Sequence, residues 1–171
     1  VGERGLAAVP GRETDARNII DEAIEYAFGI HCKNIHVIAG KTQRTPDAEE
    51  TFQKNLTYAA QKASNHGKTI LIEPLNLLDN PGYHLSTLDE ALVTLEAVNH
   101  PSLKIMFDCY HLQIMQGNLL QRLQRHLPKI GHIQFANAPG RTEPDKGEIN
   151  FPWLFAEIDR IGWNGFLGAE Y

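Results

Sequence analysis

Five short apolar runs, separated by stretches of helical period, leave this chain few ways to fold. They are "NIHVIAG" (34–40), "TILIEPL" (69–75), "LKIMFDC" (103–109), "GHIQFAN" (131–137) and "GFLGAEY" (165–171). Each is rich in β-branched or aromatic residues and has the length of a buried strand. Helical patterns occupy Asp15–Phe28, Asp47–His66, Thr87–Val98, Leu119–His126 and Trp153–Ile161. Parallel strands need a crossover connection, which a helix usually supplies, so strict alternation implies βαβ units and a parallel sheet in an α/β fold. Thr87 with Glu90 three residues on reads as a capping box, and Gly67, Gly131 and Gly162 sit where helices end or strands begin. The segment "NAPGRTEPDKGEINFP" follows a strand and reads as one long functional loop, not a linker, so residues 1–171 form a single domain.

At 171 residues the chain can bury one good core. A net charge of −5 and a pI near 5.9 disfavour nucleic acid as a partner, because a phosphate-binding protein usually carries a basic face. Cys32 and Cys109 match no C-x-x-C spacing, so free thiols in a reducing, cytoplasmic setting are expected. No apolar run approaches a membrane span, and the first sixteen residues lack the apolar core of a signal peptide. No G-x-G-x-x-G loop is present, so no nicotinamide site is expected.

A buried parallel strand should be almost wholly apolar, yet four of the five carry a polar residue near the carboxyl end: Glu73, Asp108, Gln134 and Glu170. Their spacings of 35, 26 and 36 residues are each close to one βα unit. A lone acid at a strand end is more often a loop ion pair or a helix cap. Four at corresponding places on successive strands are different, because carboxyl ends share one edge of a parallel sheet, where ligands bind. Three carboxylates and an amide converging there would cost several kcal/mol in lost hydration and repulsion. A cation removes that cost, and hard oxygen donors without cysteine favour Mg²⁺ or Mn²⁺.

Among the histidines, His36 alternates with Ile35 and Val37, so a core role competes with a place in the site. His111 lies three residues past Asp108, where a turn can return its ring to the same mouth. His132 shares a strand face with Gln134 but lies deeper and reads as structural. His31, His66, His84, His100 and His126 read as loop or helix-end residues. Arg141 sits on the long loop, where its planar guanidinium suits a carboxylate or polyol oxygen, with a local ion pair to Glu143 or Asp145 as the plainer account. Phe151 and Trp153 read as core.

The segments "LIEP", "FDCYHLQIMQGN", "GHIQFANAPGRTEPDKGEINFPWLF" and "GFLGAEY", with "AVPGR" near the start, resemble the hydroxypyruvate isomerase family. That family lies within the xylose-isomerase-like TIM-barrel superfamily, close to the 2-oxo-tetronate isomerases. The resemblance implies a metal site of Glu73, Asp108, Gln134 and Glu170, with Glu73 and Glu170 also the proton donor and acceptor, and His111, Arg141 and His36 near substrate. It implies interconversion of hydroxypyruvate and 2-hydroxy-3-oxopropanoate (tartronate semialdehyde) through an enediolate, with the substrate carboxylate suited to Arg141. A 2-oxo-tetronate or related sugar isomerase or epimerase is the alternative. A complete TIM (β/α)8 barrel has eight strands and typically about 250 residues. By the same resemblance this chain supplies strands four to eight, about five βα units, without the first three units or the last helix. The expectation is therefore a partial barrel: a fragment, an isoform, or a natural half-barrel. Its open edges would favour pairing into a homo-oligomer, and an isolated remnant could be catalytically inactive.

Overall fold

A computed structural model describes residues 4–171. Strands β1 (Asn34–His36), β2 (Thr69–Ile72), β3 (Leu103–Asp108), β4 (Ile130–Phe135) and β5 (Leu167–Ala169) form one all-parallel sheet in chain order. Helices α1 (Glu13–Gly29), α2 (Pro46–Ser64), α3 (Leu88–Val98), α4 (Cys109–Met115), α5 (Leu119–His126) and α6 (Phe151–Arg160) accompany it. Sequential parallel strands lying side by side form the wall of a barrel, and β1 and β5 each have a neighbour on one side only.

The expected strands are present but shorter. Residues after His36 leave the ladder because a different segment takes their carbonyls: the N–H groups of Ala7 and Ala8 donate to Ile38 and Ala39. The expected helices are all present, α3 with its complete capping box at Thr87 and Glu90. Helix α4 is a further short helix that begins directly at the end of β3, where the sequence suggested a turn.

The core lies between the sheet and its helices. Phe52, Leu56, Ile70, Ile72, Ile105, Phe107 and Ile133 are fully buried, and Ala59, Ala60 and Ala63 let α2 pack closely. Burying one such large side chain contributes about 1.5–3 kcal/mol. Phe151 joins this core as expected, but Trp153 is 53 % exposed, because it lies on the side of α6 away from the buried Phe151, Leu154 and Ile158. Apolar side chains also stand in solvent beside the open β1 edge (Ile19, Tyr26, Phe28, Ile30) and at Phe166 before β5.

The loop between β4 and α6 is organised around one buried side chain. Asn137 donates from Nδ2 to the carbonyls of Pro144 and Ile149 and accepts at Oδ1 from the N–H groups of Ala138 and Ile149. Gly147, at φ +136°, leaves the space this needs: a Cβ there would stand 2.4 Å from Asn137. Asn137→Ala would leave buried backbone groups unpaired at about 1–3 kcal/mol each. It should lower stability by at least about 2 kcal/mol, read from the urea midpoint.

Candidate metal and substrate site

Asp108 ends β3 and caps α4. Its Oδ1 accepts from the N–H of Tyr110 at 2.7 Å and of His111 at 3.4 Å, pairing donors that a first helical turn leaves open. The helix cap and the candidate ligand are thus the same carboxylate, since Oδ2 is buried and has no hydrogen-bond partner among the described residues. Glu73 Oε1 and Gln134 Oε1 are in the same state.

The four strand-end residues share a face but are staggered. Asp108 and Gln134 are ladder partners. Gln134 pairs with Gly168, and Glu170 stands two residues beyond it. Ile72 pairs with Ile105, which sets Glu73 level with Met106, two residues short of Asp108. Offsets of two keep every side chain on the same side of the pleat. Gly168 also leaves room for His132, whose Nε2 would lie 2.8 Å from an added Cβ.

Ligand atoms of Glu73, Asp108 and His111 lie within 4.8 Å of one another. Glu170 is drawn aside: its Oε1 is 2.9 Å from Arg141 Nη2, and its side chain is 45 % exposed. Arg141 Nε also donates to the Glu170 carbonyl, and its guanidinium lies over the Tyr110 ring. Arg141 therefore pairs across the sheet edge and not with Glu143 or Asp145, the plainer account that its loop suggested.

His111 accepts at Nδ1 from the backbone N–H of Asn76, 3.2 Å away, and the Asn76 amide nitrogen lies at 2.7 Å. A backbone N–H can only donate, so the neutral ring carries its proton on Nε2. With Nδ1 engaged and Nε2 protonated, His111 is a hydrogen-bond donor rather than a metal ligand. Burial lowers its pKa to about 4, helped by Arg141. Asn76 also donates to Asp79, which accepts from the Tyr110 hydroxyl at 2.6 Å. His36 Nδ1 stands 3.7 Å from Glu73 Oε2, too far for a hydrogen bond, and burial lowers this ring to about 4 as well.

These groups open on a cavity of about 360 Å³ lined by Glu73, Glu170, His36, His111, Arg141 and Arg4. A second groove, about 260 Å³, follows the open β1 edge past Leu6, Ile20 and Ile38 and has no carboxylate in its lining. Arg4, Asn76, Asp79, Asn80, Tyr83 and Tyr110 were not singled out from sequence. For Asn76, Asp79, Asn80 and Tyr83 the available signal was the run of polar residues in "EPLNLLDNPGY", directly after a strand at the ligand edge. His84 lies in the β2–α3 loop, as expected, and is buried there against Phe52 and Glu49.

Residues 2–171 match the family model described as xylose isomerase-like TIM barrel. The chain belongs to this family. Among curated members it is 46 % identical over 173 residues to a 2-oxo-tetronate isomerase of Cupriavidus necator, covering 99 % of this chain and 66 % of that protein. It is 41 % identical to the hydroxypyruvate isomerase of Escherichia coli, covering 99 % of this chain and 67 % of the relative. A solved structure from Brucella melitensis, described as an AP endonuclease of family 2, superposes with TM-score 0.96 at 41 % identity, covering 99 % of this chain and 67 % of that one. A D-psicose 3-epimerase from Clostridium cellulolyticum, at 20 % identity and TM-score 0.81 over 99 % of this chain and 61 % of its own, shares the fold. The chain thus spans about two thirds of the length of these xylose isomerase-like relatives. Among the described residues, no helix is long and apolar enough to cross a membrane.

Burial pushes the Glu73 carboxyl up to about 9, with the charges of Asp108 and Glu170 adding to it. Burial likewise raises Asp108 to about 6, against the two cap hydrogen bonds. The folded chain therefore holds protons that the unfolded chain has released, and stability falls as pH rises through the Glu73 window, from its ordinary 4.5 to about 9. His36 and His111 act oppositely below their ordinary 6.5, so Glu73 dominates from about pH 7 to about 9. In chelator the urea midpoint should fall across that range, and Glu73→Gln should flatten the fall. A wild-type midpoint that rises instead would contradict the assignment.

Proposed function

We propose that this chain carries the proton-transfer site of an isomerase acting on a small hydroxy-oxo acid, with hydroxypyruvate and 2-hydroxy-3-oxopropanoate as the interconverted pair. The observation that carries this reading is the unlike setting of two carboxylates on one cavity. Glu73 is sealed from solvent, while Glu170 is half-exposed and held by Arg141. Environments that separate two carboxyl groups separate an acid from a base. The relatives named as hydroxypyruvate isomerase support the substrate pair. A second reading, 2-oxo-tetronate isomerisation, is supported by the higher identity to the Cupriavidus necator protein.

The unpartnered oxygens of Glu73, Asp108 and Gln134 fit a divalent ion, and their hard character favours Mg²⁺ or Mn²⁺. Glu170 is the proposed fourth ligand. When bound, such an ion supplies Lewis-acid stabilisation of negative charge on the substrate's oxygens.

The remaining work falls to the chain's own groups. One of the two glutamates takes the proton from the hydroxyl-bearing carbon, breaking that C–H bond and leaving an enediolate. The other, or the same one, delivers a proton to the neighbouring carbon, and the hydroxyl proton passes to the former carbonyl oxygen. His111, with its proton on Nε2, donates to an oxygen that becomes negative. Arg141 orients Glu170 and contacts substrate, and His36 lines the wall beside Glu73.

Glu73→Gln and Glu170→Gln should each lower kcat by at least about 100-fold with Mg²⁺ or Mn²⁺ supplied. A panel of hydroxypyruvate and 2-oxo-tetronates ranks the two substrate readings. A double-glutamine variant with normal turnover would overturn the assignment. Absence of turnover on the whole panel would favour a non-catalytic chain that depends on a partner.

A further inference from the structure

We propose that Arg4 binds the substrate's carboxylate and selects an acid over an uncharged sugar, a role that motif resemblance offers to Arg141; this inference rests on the hydroxy-oxo acid reading above. Its first support is how the chain delivers Arg4 to the cavity. Gly5, at φ +86°, approaches the strand exit so closely that a Cβ would stand 2.4 Å from the Ile38 carbonyl oxygen. Gly40, at φ +102°, reciprocates: its Cβ would stand 2.6 Å from the Gly5 carbonyl oxygen. Only glycine tolerates such a pair of approaches. With the Ala7 and Ala8 N–H groups bonded to Ile38 and Ala39, the segment is pinned where β1 opens onto the ligand edge. Arg4 consequently lines the same cavity as Glu73, His111 and Glu170.

The second support is orientation. Arg4 Nη1 donates to Asn80 Oδ1 at 2.7 Å. Asn80 is itself buried, and its backbone N–H and its Nδ2 both donate to the Asn76 carbonyl. Arg4 is therefore aimed by the same β2–α3 loop that fixes the His111 tautomer.

The third support is charge. Arg141 already has a carboxylate partner in Glu170 and a carbonyl for its Nε. Among the described residues Arg4 has only the neutral Asn80 amide, and no carboxylate pairs with it. Its Nε and Nη2 remain to form the two-pronged contact that a guanidinium makes with a carboxylate. A substrate whose hydroxyl and carbonyl oxygens sit at the carboxylate cluster would extend its own carboxylate towards this group. An uncharged ketose would leave it without a counter-charge, which is a basis for discrimination.

The test compares wild type, Arg4→Gln, Arg4→Lys and Arg141→Gln with Mg²⁺ present, on hydroxypyruvate and on dihydroxyacetone, which replaces the carboxylate by a hydroxymethyl group. Equilibrium binding by calorimetry accompanies the kinetics. For Arg4→Gln, KM and the dissociation constant for hydroxypyruvate should rise at least about tenfold, with kcat within about twofold, the pattern of lost uniform binding. Arg4→Lys should recover part of the loss, and constants for dihydroxyacetone should not move. Wild type that binds and converts hydroxypyruvate, together with an unchanged Arg4→Gln, would overturn the role of Arg4 alone. An equal loss on both substrates would also overturn it, by showing a structural effect. Wild type that neither binds nor converts hydroxypyruvate would overturn the functional reading together with this inference.

Discussion

Parallel strands deliver their carboxyl ends to one edge, and in this chain that edge carries three buried oxygens without a hydrogen-bond partner among the described residues: Glu73 Oε1, Asp108 Oδ2 and Gln134 Oε1. Buried acceptors without partners cost free energy, and two of these belong to carboxyl groups that repel when ionised. Much of the surrounding structure answers to that cost. Burial keeps Glu73 protonated to high pH, the start of α4 turns two N–H groups towards Asp108, and Arg141 reaches over from the β4–α6 loop to engage Glu170.

The strand-and-helix order was legible because burial on both faces of a parallel strand leaves an unmistakable apolar run, and capping chemistry is local. Glu73, Asp108 and Gln134 were legible for the same reason: each interrupts such a run one βα unit from the next. What sequence spacing could not convey was the two-residue stagger along the sheet, which depends on ladder register. Nor could it place Asn76 against His111 or Asp79 against Tyr110, contacts made across 35 and 31 residues of chain. His84 lies in a loop, as its turn-rich surroundings implied, but its burial against Phe52 and Glu49 depends on α2 and could not be read locally. Trp153 was misjudged, since two aromatics at a helix start do not reveal which of them takes the buried side of the first turn.

Glu170 shows how position in the sheet governs a functional side chain. Strand β5 pairs only with β4, and Glu170, just beyond it, is engaged by Arg141 and stands apart from the close approach of Glu73 and Asp108. The opposite edge has a parallel arrangement: β1 is left short, and the residues beyond it are taken up by the glycine-bearing segment that carries Arg4. Two arginines thus reach the same cavity, Arg141 from the β4–α6 loop and paired with Glu170, and Arg4 from the segment beside β1 with no carboxylate partner among the described residues.

The double duty of Asp108 has a consequence for how this protein communicates. One oxygen holds the first amides of α4 while the other is buried in a carboxylate that comes within 4.8 Å of Glu73 and His111, so electron density withdrawn on that side is withdrawn from the helix side as well. The N–H groups of Tyr110 and His111 are therefore reporters wired to the site through a single carboxylate. His111 lies on that helix and Tyr110 stacks under Arg141, so whatever is felt at Asp108 is felt along the rim that meets the ligand.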